Sequence, residues 1–179
     1  MRGKRIRKFT IHILAIPAIN QDIIDQPTKR TALIVCTPRS NKSINLFSPK
    51  NTLIMPFADV EVKGASGAIN QSHARIIIKF LRKLPLEVTD LYICCSKGAS
   101  RSPAVAAAVL RMSGRSDKVI WDNPYYAPNT LVYQTICREF GLFTPTFYVE
   151  YLRKRNSRKY KESIKNGHTS GYERWQIIP

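Results

Sequence analysis

The chain of 179 residues is 44% hydrophobic and 23% charged, which is enough apolar sequence for one globular domain with a buried core. This apolar fraction excludes an intrinsically disordered chain, and the longest apolar runs are shorter than the roughly 18 residues that a membrane-spanning helix needs. The formal net charge is +17, so we expect attraction to polyanions such as nucleic acid, anionic lipid or phosphorylated substrates.

The excess of positive charge is concentrated at the two ends of the chain. Five of the 29 cations lie in the first eight residues, and eight lie in the last 29 residues beside two of the 12 anions. We therefore predict a basic arm at 1–8, a folded domain at 9–152 and a basic tail at 153–179. The apolar run after the arm contains His12 and Pro17 and reaches no small-residue cleavage site, so we predict a strand there rather than a signal peptide.

The basic tail also contains aromatic residues, Tyr160, Tyr172 and Trp175. Cations interleaved with aromatics can bind single-stranded nucleic acid through charge and stacking. A solvated or partner-docking extension is the interpretation that we favour, and nucleic acid or another anionic surface stays an alternative partner.

The cysteines and histidines do not indicate a metal site. The four cysteines lie at 36, 94, 95 and 137 without a zinc-binding spacing, and the three histidines at 12, 73 and 168 are widely separated. We predict no metal and no cofactor. Because the cysteines form no disulfide framework, we expect a reducing, cytoplasmic location.

The predicted elements begin with strands and a crossover helix. Short runs rich in Ile, Leu and Val predict four strands: Phe9–Ile16, Thr31–Cys36, Thr52–Phe57 and Asp90–Cys95. Between the last two, an apolar stripe predicts a helix with these inward residues: Ile69, His73, Ile76, Ile77, Phe80, Leu81 and Leu84. A strand, a helix and another strand in succession predict an α/β fold with a mostly parallel central sheet flanked by helices.

Three further helices are predicted in the second half of the chain. Residues Ser102–Met112 are apolar on nearly all sides, with proline in the first turn and Gly114 past the end, which predicts a buried helix. The next helix begins after a cap at Asn129 and ends before Gly141, and the last begins at Thr144-Pro145 and ends at 153–155. The expected inward residues are Leu131, Val132, Ile136 and Phe140 in the former, and Phe147, Tyr148, Tyr151 and Leu152 in the latter.

The segment from Cys95 to Ser102 predicts a phosphate-binding loop, because a tight turn between a strand and a helix can point its N–H groups at an anion. Gly98 permits the backbone angles that such a loop needs. Arg101 can bind two phosphate oxygens with its planar guanidinium. Cys95 lies at the bottom of the loop, in a field that favours the thiolate.

A thiolate that faces a bound phosphate can attack phosphorus, and this reaction needs an acid for the leaving group. Asp59 follows a predicted strand, so we expect it at the sheet edge where the loop lies. Glu61 and Asp122 are the alternative acids. Ser102 can donate a hydrogen bond to the sulfur as it leaves.

The sequence Cys-Ser-Lys-Gly-Ala-Ser-Arg-Ser at 95–102 resembles the Cys-x5-Arg-Ser/Thr signature of cysteine-dependent protein tyrosine phosphatases, closest to the small dual-specificity-like and microbial branch. The resemblance covers roughly Leu53 to Gly141 and is specific from Leu91 to Leu110, and it implies that the predicted domain at 9–152 is a phosphatase that acts on protein phosphotyrosine, with phosphoserine and phosphothreonine as further candidates. It implies Cys95 as nucleophile, Arg101 as phosphate ligand, Ser102 in thiolate release and Asp59, 36 residues upstream of Cys95, as general acid. The loop residues expected to bind phosphate are Ser96, Lys97, Gly98, Ala99, Ser100 and Arg101.

Three features depart from this family pattern. The Trp-Pro-Asp lid of the large receptor-type members is replaced by Phe57-Ala58-Asp59. Cys94 replaces the histidine that usually precedes the nucleophile, which removes one support for a low thiol pKa, and Lys97 places a cation near the pocket mouth. RNA 5′-phosphates and phosphoinositides are therefore alternative substrates. A weakly active or inactive module that binds phosphate on nucleic acid or phosphoproteins is the other alternative.

Several residues near these motifs have a structural interpretation that we favour. We expect Cys94, Cys36 and Cys137 to be packed, although Cys94 is also considered as a redox partner of Cys95. His73 is expected to be a core histidine rather than a base. Tyr125, Tyr126 and Asn129 are expected in a turn with exposed aromatics, packing the loop or contacting substrate at the rim.

Overall fold

The computed structural model describes residues 5–18, 30–38, 51–166 and 176–179. Its strands are β1 Thr10–Ala15, β2 Thr31–Cys36, β3 Thr52–Met55, β4 Asp90–Cys95 and β5 Gln176–Ile178. Its helices are α1 Gln71–Lys83, α2 Arg101–Met112, α3 Lys118–Trp121, α4 Thr130–Phe140 and α5 Thr146–Lys165. The four predicted strands and four predicted helices are present, and α3 and β5 are additions to them.

The strands form one sheet in the order β3-β2-β4-β1-β5. Strands β1 to β4 are parallel, and β5 pairs antiparallel with β1. The prediction of an α/β fold with a mostly parallel sheet flanked by helices is confirmed. In the register, Cys95 at the end of the central strand β4 lies between Ala15 of β1 and Cys36 of β2. The carboxyl ends of these strands therefore meet around Cys95.

The main core lies on the face of the sheet against which the helices pack. Helix α2 is buried along its whole length except at Arg111, as its apolar sequence predicts. A smaller cluster lies on the other face and contains Leu14, Leu33, Val35 and Cys94. Because successive strand residues point to opposite faces, Cys94 belongs to this cluster while Cys95 belongs to the main core.

Two helical faces differ from the predicted ones. In α1, Ile76 is 45% exposed, and Ala74 and Ile78 are buried in its place. In α4, Tyr133 and Cys137 are buried beside the predicted Val132, Ile136 and Phe140, while Leu131 is only partly buried.

The largest correction concerns α5. Phe147 and Tyr151, predicted to be buried, are 75% and 50% exposed, because the buried face runs through Val149, Leu152 and Asn156. The helix also continues to Lys165 instead of ending at 153–155. Most of the predicted basic tail that the structure describes is therefore helical, with Asn156 buried and most of residues 157–165 exposed.

Both ends of the described chain contact the domain. Ile6 is buried and its N–H donates to the Met112 carbonyl, and β5 pairs with β1. The boundaries at 8 and 152 stay predictions. Residues 1–4 of the predicted arm, and Tyr172 and Trp175 of the predicted tail, lie outside the described residues. Among the helices described, none combines the length and the hydrophobicity that crossing a bilayer requires.

Candidate active site

The predicted phosphate loop connects the end of β4 to the first turn of α2. A neighbouring segment holds it in place: the Ala127 N–H donates to the Ala99 carbonyl at 2.8 Å, and the Asn129 N–H donates to the Ser100 carbonyl at 3.3 Å. These two hydrogen bonds satisfy the carbonyls of Ala99 and Ser100 and connect the loop to the segment before α4.

Position 98 requires glycine for two reasons, a left-handed backbone conformation and the lack of space for a Cβ atom. Its φ is +69°, and a Cβ at this position would lie 2.8 Å from the carbonyl carbon of Leu14 and 2.9 Å from the nitrogen of Ala15. The neighbouring atoms belong to the backbone of β1, so they cannot move aside like a flexible side chain. The loop therefore lies directly against the end of β1.

The sulfur of Cys95 is surrounded by hydrogen-bond donors. The Ser102 Oγ lies 3.2 Å from the Cys95 Sγ, and the backbone N–H groups of Lys97, Ser100 and Ser102 also donate to the sulfur. Burial alone raises the pKa of a thiol, but these donors outweigh it and hold the pKa of Cys95 below its ordinary value of 9.0. The loop thus favours the thiolate without the histidine that Cys94 replaces.

Arg101 is held rigidly at the base of the loop, with 5% of its surface exposed. Its Nη1 donates to the Phe57 carbonyl at 3.1 Å and its Nη2 to the Ser96 Oγ at 2.9 Å. Its buried Nε has no acceptor among the described residues. A buried guanidinium with an unsatisfied donor suits an anion with several oxygens, since an unpaired buried donor is costly.

Asp59 lies against this loop although it is 36 residues upstream of Cys95. Its Oδ1 accepts from the Ser100 Oγ at 2.8 Å and from the Asn129 Nδ2 at 2.8 Å. Ser100 therefore contacts both groups: its N–H donates to the sulfur and its hydroxyl to the carboxylate. The side chain of Asp59 is exposed, so solvent and a substrate can reach it.

Asn129 contacts Asp59, and this contact could not be predicted from the sequence. Its Oδ1 accepts from the Val132 N–H at 2.9 Å, which caps α4, while its Nδ2 donates to Asp59 and to the Val60 carbonyl. The cap was predicted, but the contact with Asp59, 70 residues away in sequence, has no local sequence signal.

The alternative acids are engaged elsewhere. Glu61 Oε1 accepts from the N–H and the hydroxyl of Thr130, at the first turn of α4. Asp122 pairs with Arg155 at 2.6 Å. Of the three candidate acids, Asp59 is the one that hydrogen-bonds to the phosphate loop.

The remaining cysteines are packed, as predicted. The Cys94 Sγ lies 3.6 Å from the Ile34 carbonyl on the face of the sheet opposite Cys95, so the two adjacent sulfurs are not redox partners by geometry. Cys36 is the register neighbour of Cys95. Burial raises the pKa of Cys36, and the nearby charge of Cys95 raises it further. Burial raises the pKa of Cys137 to about 12. Burial likewise raises the pKa of Cys94. A raised pKa disfavours the thiolate, so these three cysteines are less suited to nucleophilic attack than Cys95.

His73 and the two tyrosines have structural positions. His73 closes the N-terminus of α1: its N–H donates to the Asn70 Oδ1, and its Nδ1 accepts from the Asn70 N–H. The prediction that it is not a base agrees with this contact, although it is a capping residue rather than a core one. Tyr126 is buried, contrary to the expectation that both tyrosines are exposed, whereas Tyr125 is 40% exposed.

The part of the chain that the structure describes contains no group of three His, Cys, Asp or Glu side chains that could hold a metal ion. No family model matches the chain, and no curated protein matches it. Among solved structures, the chain is similar to PTPMT1, with 15% sequence identity and a TM-score of 0.43, over 91% of this chain and 100% of that chain. This similarity is too low to assign a family or an activity to the chain.

Proposed function

We propose that the protein hydrolyses phosphate monoesters on protein phosphotyrosine, through a phosphocysteine intermediate on Cys95. Phosphoserine and phosphothreonine are the further protein substrates to test. The observation that carries this proposal is geometric: the Cys95 sulfur accepts hydrogen bonds from three backbone N–H groups and lies 3.2 Å from the Ser102 Oγ, in the loop that also contains the buried guanidinium of Arg101. This arrangement combines a thiolate with a cradle for the oxyanion that it would attack.

In the first step, the phosphoryl oxygens accept hydrogen bonds from the loop N–H groups and from Arg101. The Cys95 thiolate attacks phosphorus, a P–S bond forms, and the P–O bond to the tyrosine breaks. Asp59 donates its proton to the leaving phenolate oxygen, so a neutral phenol departs. Asn129 and Ser100 hold Asp59 by its Oδ1 at the edge of the loop.

In the second step, a water molecule attacks the phosphorus of the phosphocysteine. Asp59, now ionised, accepts a proton from this water, and the P–S bond breaks to give inorganic phosphate. The departing sulfur becomes a thiolate again, and a hydrogen bond from the Ser102 hydroxyl stabilises that charge. We therefore expect the Ser102 hydroxyl to accelerate this second step more than the first.

RNA 5′-phosphates and phosphoinositides are alternative substrates of the same chemistry, and a panel of phosphate esters separates them from phosphotyrosine. A phosphate-binding module without turnover is the other alternative. The lowered pKa of Cys95 favours hydrolysis over binding alone, because a module that only binds phosphate has no need of a thiolate.

The test is turnover of p-nitrophenyl phosphate by the wild-type protein and by the Cys95→Ser and Cys94→Ser variants. We expect Cys95→Ser to abolish turnover, because the serine hydroxyl is a far weaker nucleophile, with an unchanged circular dichroism spectrum. Cys94→Ser is the matched control on the opposite face of the sheet and should retain most of the activity. Equal activity in the wild type and in Cys95→Ser would reject the mechanism.

A further inference from the structure

A groove of about 870 Å³ begins at the edge of the candidate active site. At one end it is lined by Asp59 and Ser100, which are joined by a hydrogen bond, and Ser100 also donates to the sulfur of Cys95. Residues of helix α5 also line this groove. Whatever occupies the phosphate loop is therefore next to this groove.

The groove-facing side of α5 is cationic. Lys154, Arg158 and Lys161 line the groove at positions i, i+4 and i+7, one face of a helix, and Arg153 lies beside them. Lys154 to Lys161 spans roughly 10 Å along the helix axis, which matches about three residues of an extended peptide. The ion pairs of α5 join Arg155 to Asp122 and Lys159 to Glu162, and within the described residues none involves a groove cation.

The packing of α5 fixes the position of these cations. Val149 and Leu152 are buried, and the buried Asn156 donates to the carbonyls of Trp121 and Asn123 at 3.1 and 3.0 Å. A row of cations on an anchored helix costs less entropy to engage than the same charges on a mobile tail.

We propose that this groove binds the acidic side chains of a peptide substrate, carboxylates or further phosphates that lie a few residues from the phosphorylated residue. The proposal rests on the proposed function and specifies its substrate class. Arg153, Lys154, Arg158 and Lys161 determine specificity, and they do not touch the reacting phosphate.

Two features favour a peptide over a nucleic acid. Glu61 also lines the groove, so a strand with a charge on every nucleotide would place a phosphate near this carboxylate. A peptide can place an uncharged residue there. The aromatic residue that lines the groove in the described part of the chain, Trp121, is completely buried and offers no stacking surface.

The test measures binding to the Cys95→Ser protein, so that it does not depend on turnover. Three labelled phosphotyrosine peptides are compared: one with glutamates two to five positions before the phosphotyrosine, one with glutamates after it, and one with glutamines at both places. We expect one acidic peptide to bind about tenfold more tightly than the neutral one, with a difference that shrinks as salt is added. In the same background, the groove triple K154Q/R158Q/K161Q should reduce this preference to about twofold or less.

The matched control is K79Q/R82Q/K83Q on α1, which removes two lysines and one arginine from a different groove. It should leave the preference for the acidic peptide unchanged. Equal affinity of the wild-type groove for acidic and neutral peptides would overturn the proposal, as would an equal loss in both triples. A 5′-phosphorylated oligonucleotide that binds more tightly than the acidic peptide, and loses this affinity in the groove triple, would assign the groove to RNA instead.

Turnover of p-nitrophenyl phosphate by the wild-type protein tests the proposed function separately. Absent turnover with a retained peptide preference would reject hydrolysis and keep the groove. Normal turnover without a peptide preference would support hydrolysis and overturn the groove proposal.

Discussion

The phosphate loop and helix α5 both present cations to the same side of the molecule, but they differ in burial. Arg101 of the loop is almost completely buried and bound by the Phe57 carbonyl and the Ser96 hydroxyl, whereas Lys154, Arg158 and Lys161 are exposed. A buried, oriented guanidinium interacts strongly and with little screening, while exposed charges each contribute weakly and are screened by salt. The loop is therefore suited to chemistry and α5 to selectivity.

The largest expected difference between the two regions comes from replacing an arginine by lysine in each of them. Arg101→Lys keeps the charge but loses the planar pair of donors, so we expect kcat/KM for p-nitrophenyl phosphate to fall by about 10²–10³-fold. On α5, Arg158→Lys should change the affinity for the acidic peptide by less than about twofold, because a point charge suffices there. Similar, small effects of both substitutions on these two measurements would break the distinction.

The next effect concerns Asp59, the proposed general acid, which contacts the phosphate loop and lines the groove beside α5. Asp59→Asn removes the proton donor, so we expect hydrolysis of phenyl phosphate, with its poor leaving group, to slow by about 10²-fold or more, and that of p-nitrophenyl phosphate much less. Glu61→Gln tests the alternative acid and should affect the two esters by the same factor. Equal slowing of both esters by Asp59→Asn would move the acid to another residue.

A stability measurement tests how firmly the loop is held. Gly98→Ala introduces a Cβ at 2.8 Å from the Leu14 backbone and a left-handed alanine, so urea denaturation should show a loss of at least about 2 kcal/mol. Gly64→Ala has a similar φ, +81°, with no atom within 4 Å of the added Cβ, so it should cost about 1 kcal/mol. If the two variants are equally stable, β1 does not constrain the loop.

The smallest effect is a shift in pH dependence. In the wild type, alkylation of Cys95 by iodoacetamide should rise with pH through a midpoint below 9.0, because the donors around the sulfur favour its ionised form. Ser102→Ala removes the hydroxyl donor, so the pKa of Cys95 should rise and the midpoint should move to higher pH. An unchanged midpoint in Ser102→Ala would show that the backbone N–H groups account for the whole shift.

Much of the fold could be predicted from hydrophobic periodicity. The strands are short apolar runs and α2 is apolar on nearly all sides, so the sequence of each of these segments indicates a buried position. The buried face of α5 could not be predicted this way. Phe147 and Tyr151 carry large, mainly apolar side chains as Leu152 does, and which of them is buried depends on where α3 and the loop after it lie. The continuation of α5 past Leu152 could not be predicted, because a run of cations is typical of a solvated tail. The burial of Asn156 depends on tertiary packing, which the local sequence does not indicate.

At the site, the positions of Cys95, Gly98 and Arg101 could be predicted because they lie within one short loop whose spacing is set by local geometry. Asp59 could be placed at the correct sheet edge from the order of strands. Its contact with Asn129 could not, because that contact depends on how α4 docks beside the loop. The opposite orientations of Cys94 and Cys95 follow from strand alternation alone.

The central claim is that Cys95 carries the phosphoryl group during turnover. The most direct test is rapid acid quenching of the Ser102→Ala variant during hydrolysis of p-nitrophenyl phosphate, followed by mass spectrometry of the peptide that contains Cys95. We predict a mass increase of one phosphoryl group on Cys95, since loss of the Ser102 donor slows breakdown of the intermediate more than its formation. Continued turnover with an unmodified Cys95, or with the phosphoryl group on another residue, would contradict the account.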